Sequence, residues 1–225
     1  MALEASAKST LPDLVRRHQA ALALVLLIAF GALRYEHFLG AFNVLSVLRY
    51  NSMFALTGLG MCFVIMTGGI DLSVGATAAL ASVVSALFSP FGLVPGLTGG
   101  VVAGAAVGAL NGFMVARMRI LPFIATLSGM LAASGTALLL AHNASVSVSY
   151  ETSFTSVGQG DFLGFPIPAW LAGLAYVLGA ILLNFAPFGR HVLAVGGNPE
   201  AARLMGLPAE RVKFLAYLQS GVLAG

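Results

Sequence analysis

A chain of 225 residues that is 59% hydrophobic and 8% charged, with a mean hydropathy of +0.95, lies outside the ordinary soluble class, where roughly a quarter of residues carry charge. Its single cysteine, Cys62, excludes an intramolecular disulfide and a cysteine metal cluster. The net charge of +3 does not imply nucleic acid, because in an apolar chain the placement of Lys and Arg matters more than their sum.

Taken in chain order, the apolar segments predict an all-α, polytopic transmembrane helical bundle. A bilayer crossing needs roughly 20 apolar residues. Six segments qualify: Ala20 to Leu33, Val44 to Thr67, Leu72 to Phe88, Leu93 to Ala116, Pro122 to Ala141 and Ala169 to Phe185. A seventh starts at Phe214 and reaches Gly225. The first is short, and Arg49 and Asn51 blur the start of the second. This divides the chain into a cytoplasmic segment 1–19 and a transmembrane domain 20–225, with an outer loop 142–168 and a cytoplasmic loop 186–213. With the N-terminus inside, Lys8, Arg16, Arg17, Arg117, Arg119, Arg190, Arg203, Arg211 and Lys213 fall on the cytoplasmic side, and Arg34 and Arg49 fall outside. That positive-inside bias emerges only if the second and third spans are separate and turn near Gly68 to Asp71.

Between Arg49 and Arg117 the only charged side chain is Asp71, in Gly68-Gly69-Ile70-Asp71-Leu72-Ser73-Val74-Gly75. A carboxylate in such surroundings is costly without a partner, water or a helix end. Asp71 or Ser73 can cap the third helix, and the same residues can form a polar break that faces or moves with a translocation path. Both readings can hold together. In the fourth span Gly96, Gly100, Gly104, Gly108 and Gly112 recur every fourth residue and trace a slowly winding groove, which predicts close helix packing rather than a ligand role. The outer loop is rich in serine and threonine and is expected to form a strand or short lid.

No metal site, phosphate loop or nucleophile–base pair is visible. His18, His37, His142 and His191 lie in loops or at span ends without ligand spacing. In the cytoplasmic loop, Asn198 suits an N-cap, Pro199 the first helical position and Glu200 the helix dipole, and Gly206 with Pro208 closes a short helix set between two loops. Ala201, Leu204 and Met205 give it an apolar face for a membrane or a partner cleft.

Three stretches carry a family resemblance: the Asp71 motif; Asn111-Gly112 with Leu121-Pro122-Phe123-Ile124-Ala125-Thr126-Leu127; and Gly196-Gly197-Asn198-Pro199-Glu200-Ala201-Ala202. Together, and in this order, the chain resembles the ribose/xylose/galactose-type permeases of bacterial ABC importers. The resemblance implies a non-enzymatic, multi-pass subunit of the inner membrane without a cofactor. Such a subunit pairs with a second permease copy or paralogue, is driven by an ABC ATPase subunit, and receives sugar from a periplasmic binding protein. Glu200, Ala201, Ala202 and Gly206 match the pattern of the coupling loop that docks into the ATPase. Asp71, Ser73, Asn111 and Thr126, with Gly68 and Gly69 at the break, are the polar candidates for a sugar path. The family's members are longer and have more spans, so a truncated product, a gene-model fragment or one piece of a split permease is expected. The alternatives are a permease for a nucleoside or branched-chain amino acid, an ion-coupled carrier, and a nonfunctional fragment.

Overall fold

The computed structural model describes residues 19–225; Lys8, Arg16, Arg17 and His18 lie outside the described residues. The chain divides into two units at Val47. In the first, helix α1 (Gln19–Arg34) is followed by a turn in which Gly40 N donates to His37 O and Asn43 Nδ2 to Phe38 O. Gly31 lies against the Phe38 ring. Helix α2 (Ala41–Met66) begins there and continues into the second unit.

The second unit holds the rest of α2 and nearly all of the remaining helix. Its elements are α3 (Val74–Phe88), a 3-10 turn at Ser89–Phe91, α4 (Leu93–Ala116), α5 (Pro122–Leu140), α6 (Thr155–Gln159), α7 (Ile167–Asn184), α8 (Pro187–Gly197), α9 (Pro199–Leu204) and α10 (Ala209–Ala224). Among the described residues five helices are long and apolar enough to cross a membrane: α2, α3 with its 3-10 extension, α4, α5 and α7. The chain is therefore an all-α polytopic helical bundle. Its predicted first span is a 16-residue helix, shorter than the other five. The loop between α5 and α7 contains the one-turn α6 and a two-residue antiparallel pair, β1 (Asp161–Phe162) with β2 (Phe165–Pro166).

Helix α4 lies against α3, α5 and α10. Its glycines at 100, 104 and 108 pack on α10. A Cβ on Gly104 would overlap Gly221 O and lie 2.8 Å from Gly225 Cα, and one on Gly108 would meet Tyr217 O at 2.5 Å. A Cβ on Gly112 would lie 2.9 Å from Phe214 O, and one on Gly96 would overlap the Phe154 ring in the loop. Backbones this close gain dispersion contacts in place of a hydrophobic drive that lipid does not supply. Ala76, Leu80, Val107, Ala133 and Ala137 fill the space between α3, α4 and α5. A second cluster joins Phe63 and Val64 of α2 to Val192 and Val195 of α8, Ala202 of α9 and Ala216 and Tyr217 of α10. By contrast, α7 buries only Ala172 and Gly179, leaving Leu174, Val177 and Leu178 exposed. An apolar face of that kind suits lipid.

Arg49 of α2 reaches the loop at one end, pairing with Asp161 at 2.7 Å and donating to Gln159 O. Ser149 N donates to Ser89 Oγ at 2.8 Å and Thr152 Oγ1 to Ser89 O at 2.9 Å, so the loop is tied down at several points.

A buried carboxylate at a helix break as the candidate functional site

Helix α2 ends because Gly68 takes φ +79°, a conformation that costs a side-chain-bearing residue energy. Gly68 N donates to Ile65 O and Gly69 N to Val64 O, the paired bonds of a Schellman cap. Gly69 has a different requirement: a Cβ there would lie 2.6 Å from the Tyr217 hydroxyl. The two glycines thus end a helix and admit a neighbour, and the chain turns directly into α3.

Inside this turn Asp71 is 4% exposed. Its Oδ1 accepts from Ser73 N at 2.9 Å and Ser73 Oγ at 2.6 Å, and its Oδ2 accepts from Ser220 Oγ of α10 at 3.1 Å. Ser73 Oγ in turn accepts from Asn111 Nδ2 of α4 at 2.7 Å and from Thr77 Oγ1 at 3.5 Å. The carboxylate caps the chain one residue ahead of the helix. Ser73, at the N-cap position of α3, makes no side-chain cap bond. Next to it, Ile70 O accepts from the Tyr217 hydroxyl at 3.0 Å, and Thr126 Oγ1 donates mainly to Pro122 O at 2.8 Å. Among the described residues Asp71 makes no ion pair and is held by hydroxyl and amide donors alone. Three such bonds satisfy its two oxygens and offset part of the cost of taking the group out of water.

Asp71, Ser73 and Asn111 therefore form one buried cluster, with Thr126 beside it and Gly68 exposed at its edge. Asn111 Oδ1 has no hydrogen-bond partner and lies against Gly129, at a groove of about 510 Å³ between α3, α4 and α5. Sequence reasoning missed Thr77, Tyr217 and Ser220. The signal available was the three-residue spacing of Tyr217 and Ser220, which sets both on one face of α10.

Next to the break lies the Gly196 motif. Gly196, in the last turn of α8, packs so closely on the carbonyl of Met66 that a Cβ would overlap it. Residues 187–197, expected as loop, are the helix α8. Pro187 sits at its first turn, where a missing N–H costs nothing. Asn198 Oδ1 then accepts from Glu200 N at 3.1 Å and Ala201 N at 3.0 Å, capping α9. The helix closes on Gly206, at φ +79°, with Gly206 N donating to Arg203 O and Leu207 N to Ala202 O. Ala202 is fully buried and belongs to the core, whereas Leu204 and Met205 are exposed at 90% and 69%. Glu200 pairs with Arg203 at 3.0 Å. Glu210, at the start of α10, pairs with Arg117 at 3.0 Å and Arg119 at 3.3 Å, so the guanidinium of Arg117 and then that of Arg119 hold its carboxyl below the ordinary range.

Apolar spans folded around a polar break, with a capped surface helix packed behind it, define a multi-pass membrane protein. Residues 43–225 match the family described as branched-chain amino acid transport system / permease component, and the chain belongs to that family. It is 35% identical over 223 residues to an L-arabinose ABC transporter permease protein of Azospirillum brasilense, covering 98% of this chain and 66% of that protein. It is 38% identical over 208 residues to the ribose import permease protein of Bacillus subtilis and 33% identical to that of Escherichia coli K12, covering 90% of this chain in each case and 64% and 65% of those proteins. The chain thus spans about two thirds of the length of these relatives. No solved structure matches it.

Proposed function

We propose that the chain is a membrane-spanning permease subunit of an ATP-driven monosaccharide importer of the bacterial inner membrane, with its N-terminus cytoplasmic. In this reading 20–225 is permease domain, 142–168 is periplasmic and 186–213 is the coupling segment. A periplasmic sugar-binding protein delivers substrate, a second permease copy or paralogue completes the path, and an ABC ATPase subunit receives α9. The relatives named for arabinose and ribose support a sugar. The scarcity of ionisable groups in the spans also favours a neutral polyol over a zwitterionic amino acid.

The observation that carries the mechanism is the seat of Gly196 on the Met66 carbonyl, two residues before Gly68. Glu200, Ala201 and the exposed Leu204 and Met205 present the docking face. Ala202 and Gly206 hold its shape. When ATP closes the ATPases, a push on α9 passes through α8 to the end of α2, and from there to the turn that carries Asp71. The polar groups of Asp71, Ser73, Asn111 and Thr126 exchange partners as the spans rock, which opens the path alternately to each side. Gly100, Gly104, Gly108 and Gly112 keep α4 and α10 moving as one body.

In a complex reconstituted with ATPase and binding protein, Glu200→Lys is expected to leave membrane insertion intact and to uncouple ATP hydrolysis from sugar uptake. Unchanged coupled uptake would remove the docking role of α9. Competition of labelled arabinose uptake by ribose, a nucleoside and leucine separates the substrate classes.

A further inference from the structure

The end of the molecule that carries α9 also holds a concentration of charge that the transport reading does not use. Arg117 caps the end of α4, Arg119 follows it at φ +57°, Arg203 lies in the last turn of α9, and Arg211 and Lys213 lie in the first turns of α10. Among the described residues two carboxylates, Glu200 and Glu210, stand against these five cations. Among the described residues Arg211 is exposed and makes no ion pair. Lys213 is held below its ordinary range, first by burial and then by nearby Arg203, which places it in the same positive field.

Two grooves open here and share a wall. One, of about 300 Å³, is lined by Arg117, Arg119, Arg203, Glu210 and Arg211 with Leu207 to Ala209. The other, of about 290 Å³, is lined by Phe113, Ala116, Arg117, Glu210, Arg211 and Phe214. Phe113 is 51% exposed one turn before the end of α4, and Phe214 lies one turn into α10. The site therefore grades from guanidinium to aromatic over the last turn of an apolar helix, and if α4 crosses a bilayer this end lies where headgroups meet acyl chains. Guanidinium forks match phosphate oxygens, and phenyl rings suit the adjoining methylenes.

We propose that these joined grooves bind a phospholipid with an anionic headgroup, its phosphate on Arg119 and Arg211 beside Arg117, and the start of its acyl chain along Phe113 and Phe214. The site requires that the chain spans a bilayer, but not that it imports sugar, so it stands or falls separately from the transport reading. A soluble anion would use the first groove alone. An acidic protein surface would need neither phenyl ring.

The test is native mass spectrometry of the intact chain, purified in mild detergent and offered phosphatidylglycerol and phosphatidylcholine in equal amounts. Preferential retention of phosphatidylglycerol is expected, falling about fivefold for each arginine lost in Arg119→Gln and Arg211→Gln. Phe113→Ser should weaken retention of the diacyl lipid, and Arg190→Gln in α8 should change nothing. Equal retention of the two lipids, a preference that survives the double variant, or the same loss in Arg190→Gln would overturn the proposal. Glycerol phosphate displacing the lipid at equal concentration would assign the site to free anions and overturn it too. So would loss of a co-purifying protein from the double variant where no lipid preference exists.

Discussion

Asp71 is held on three sides by donors drawn from its own turn and from α10, and each donor is committed. Ser220→Ala removes one charge-assisted bond and should lower stability by about 1.5–3 kcal/mol. Asp71→Ala leaves the Ser220 hydroxyl and the Ser73 amide without their acceptor and should cost more. Asp71→Asn, which keeps the shape and loses the charge, should fall between them. Thermal unfolding in detergent gives this ranking directly, and an Asp71→Ala midpoint equal to wild type would show the carboxylate to be dispensable for packing. The sequence makes Asp71 conspicuous because it is the one charge in a long apolar stretch. Ser220 and Tyr217 share one face of α10, but nothing local ties that face to a turn about 150 residues earlier, so neither was legible as its partner.

At the level of elements, the glycine spacing of α4 was legible because a four-residue period maps directly onto one helical face. What it faces was not: α10 receives it with Gly221 and Gly225, a second small-residue stripe. Gly104→Leu should force the two backbones apart, with an overpacking cost of about 1–3 kcal/mol and a lower unfolding temperature. Gly135→Leu in α5, where a Cβ would meet nothing within 4 Å, is the matched control and should be close to neutral. Equal effects of the two would show that the close approach contributes little. Helix α9 was legible from its cap residues, whereas α8 was hidden by Gly189, Gly196 and Gly197. Two of those glycines serve contact rather than flexibility: Gly189 lies against Leu183 O and Gly196 against Met66 O.

For the whole molecule, the apolar segments carried the order of the spans, and residues 48–225 place Arg49 with the long loop and Arg117, Arg119 and Arg203 with α9 and the start of α10. Glu210 ties three segments together at that second end. Its carboxyl in the folded protein lies below its ordinary value of 4.5, so its contribution is complete above that pH and is lost as pH falls through the folded value. Wild type should therefore lose more stability than Glu210→Gln between about pH 6 and pH 3. Parallel curves for the two proteins would mean that the arginines do not depend on this carboxylate.

The distance from Asp71 to Ser220 also bears on synthesis. Ser220 emerges from the ribosome 149 residues after the carboxylate it binds, a delay of about 7–30 s at ordinary elongation rates. Throughout that interval the turn between the nascent α2 and α3 carries a carboxyl group whose partner from α10 does not yet exist. Release of these two spans into lipid is then disfavoured until α10 is made, which ties the membrane integration of an early turn to a helix translated much later.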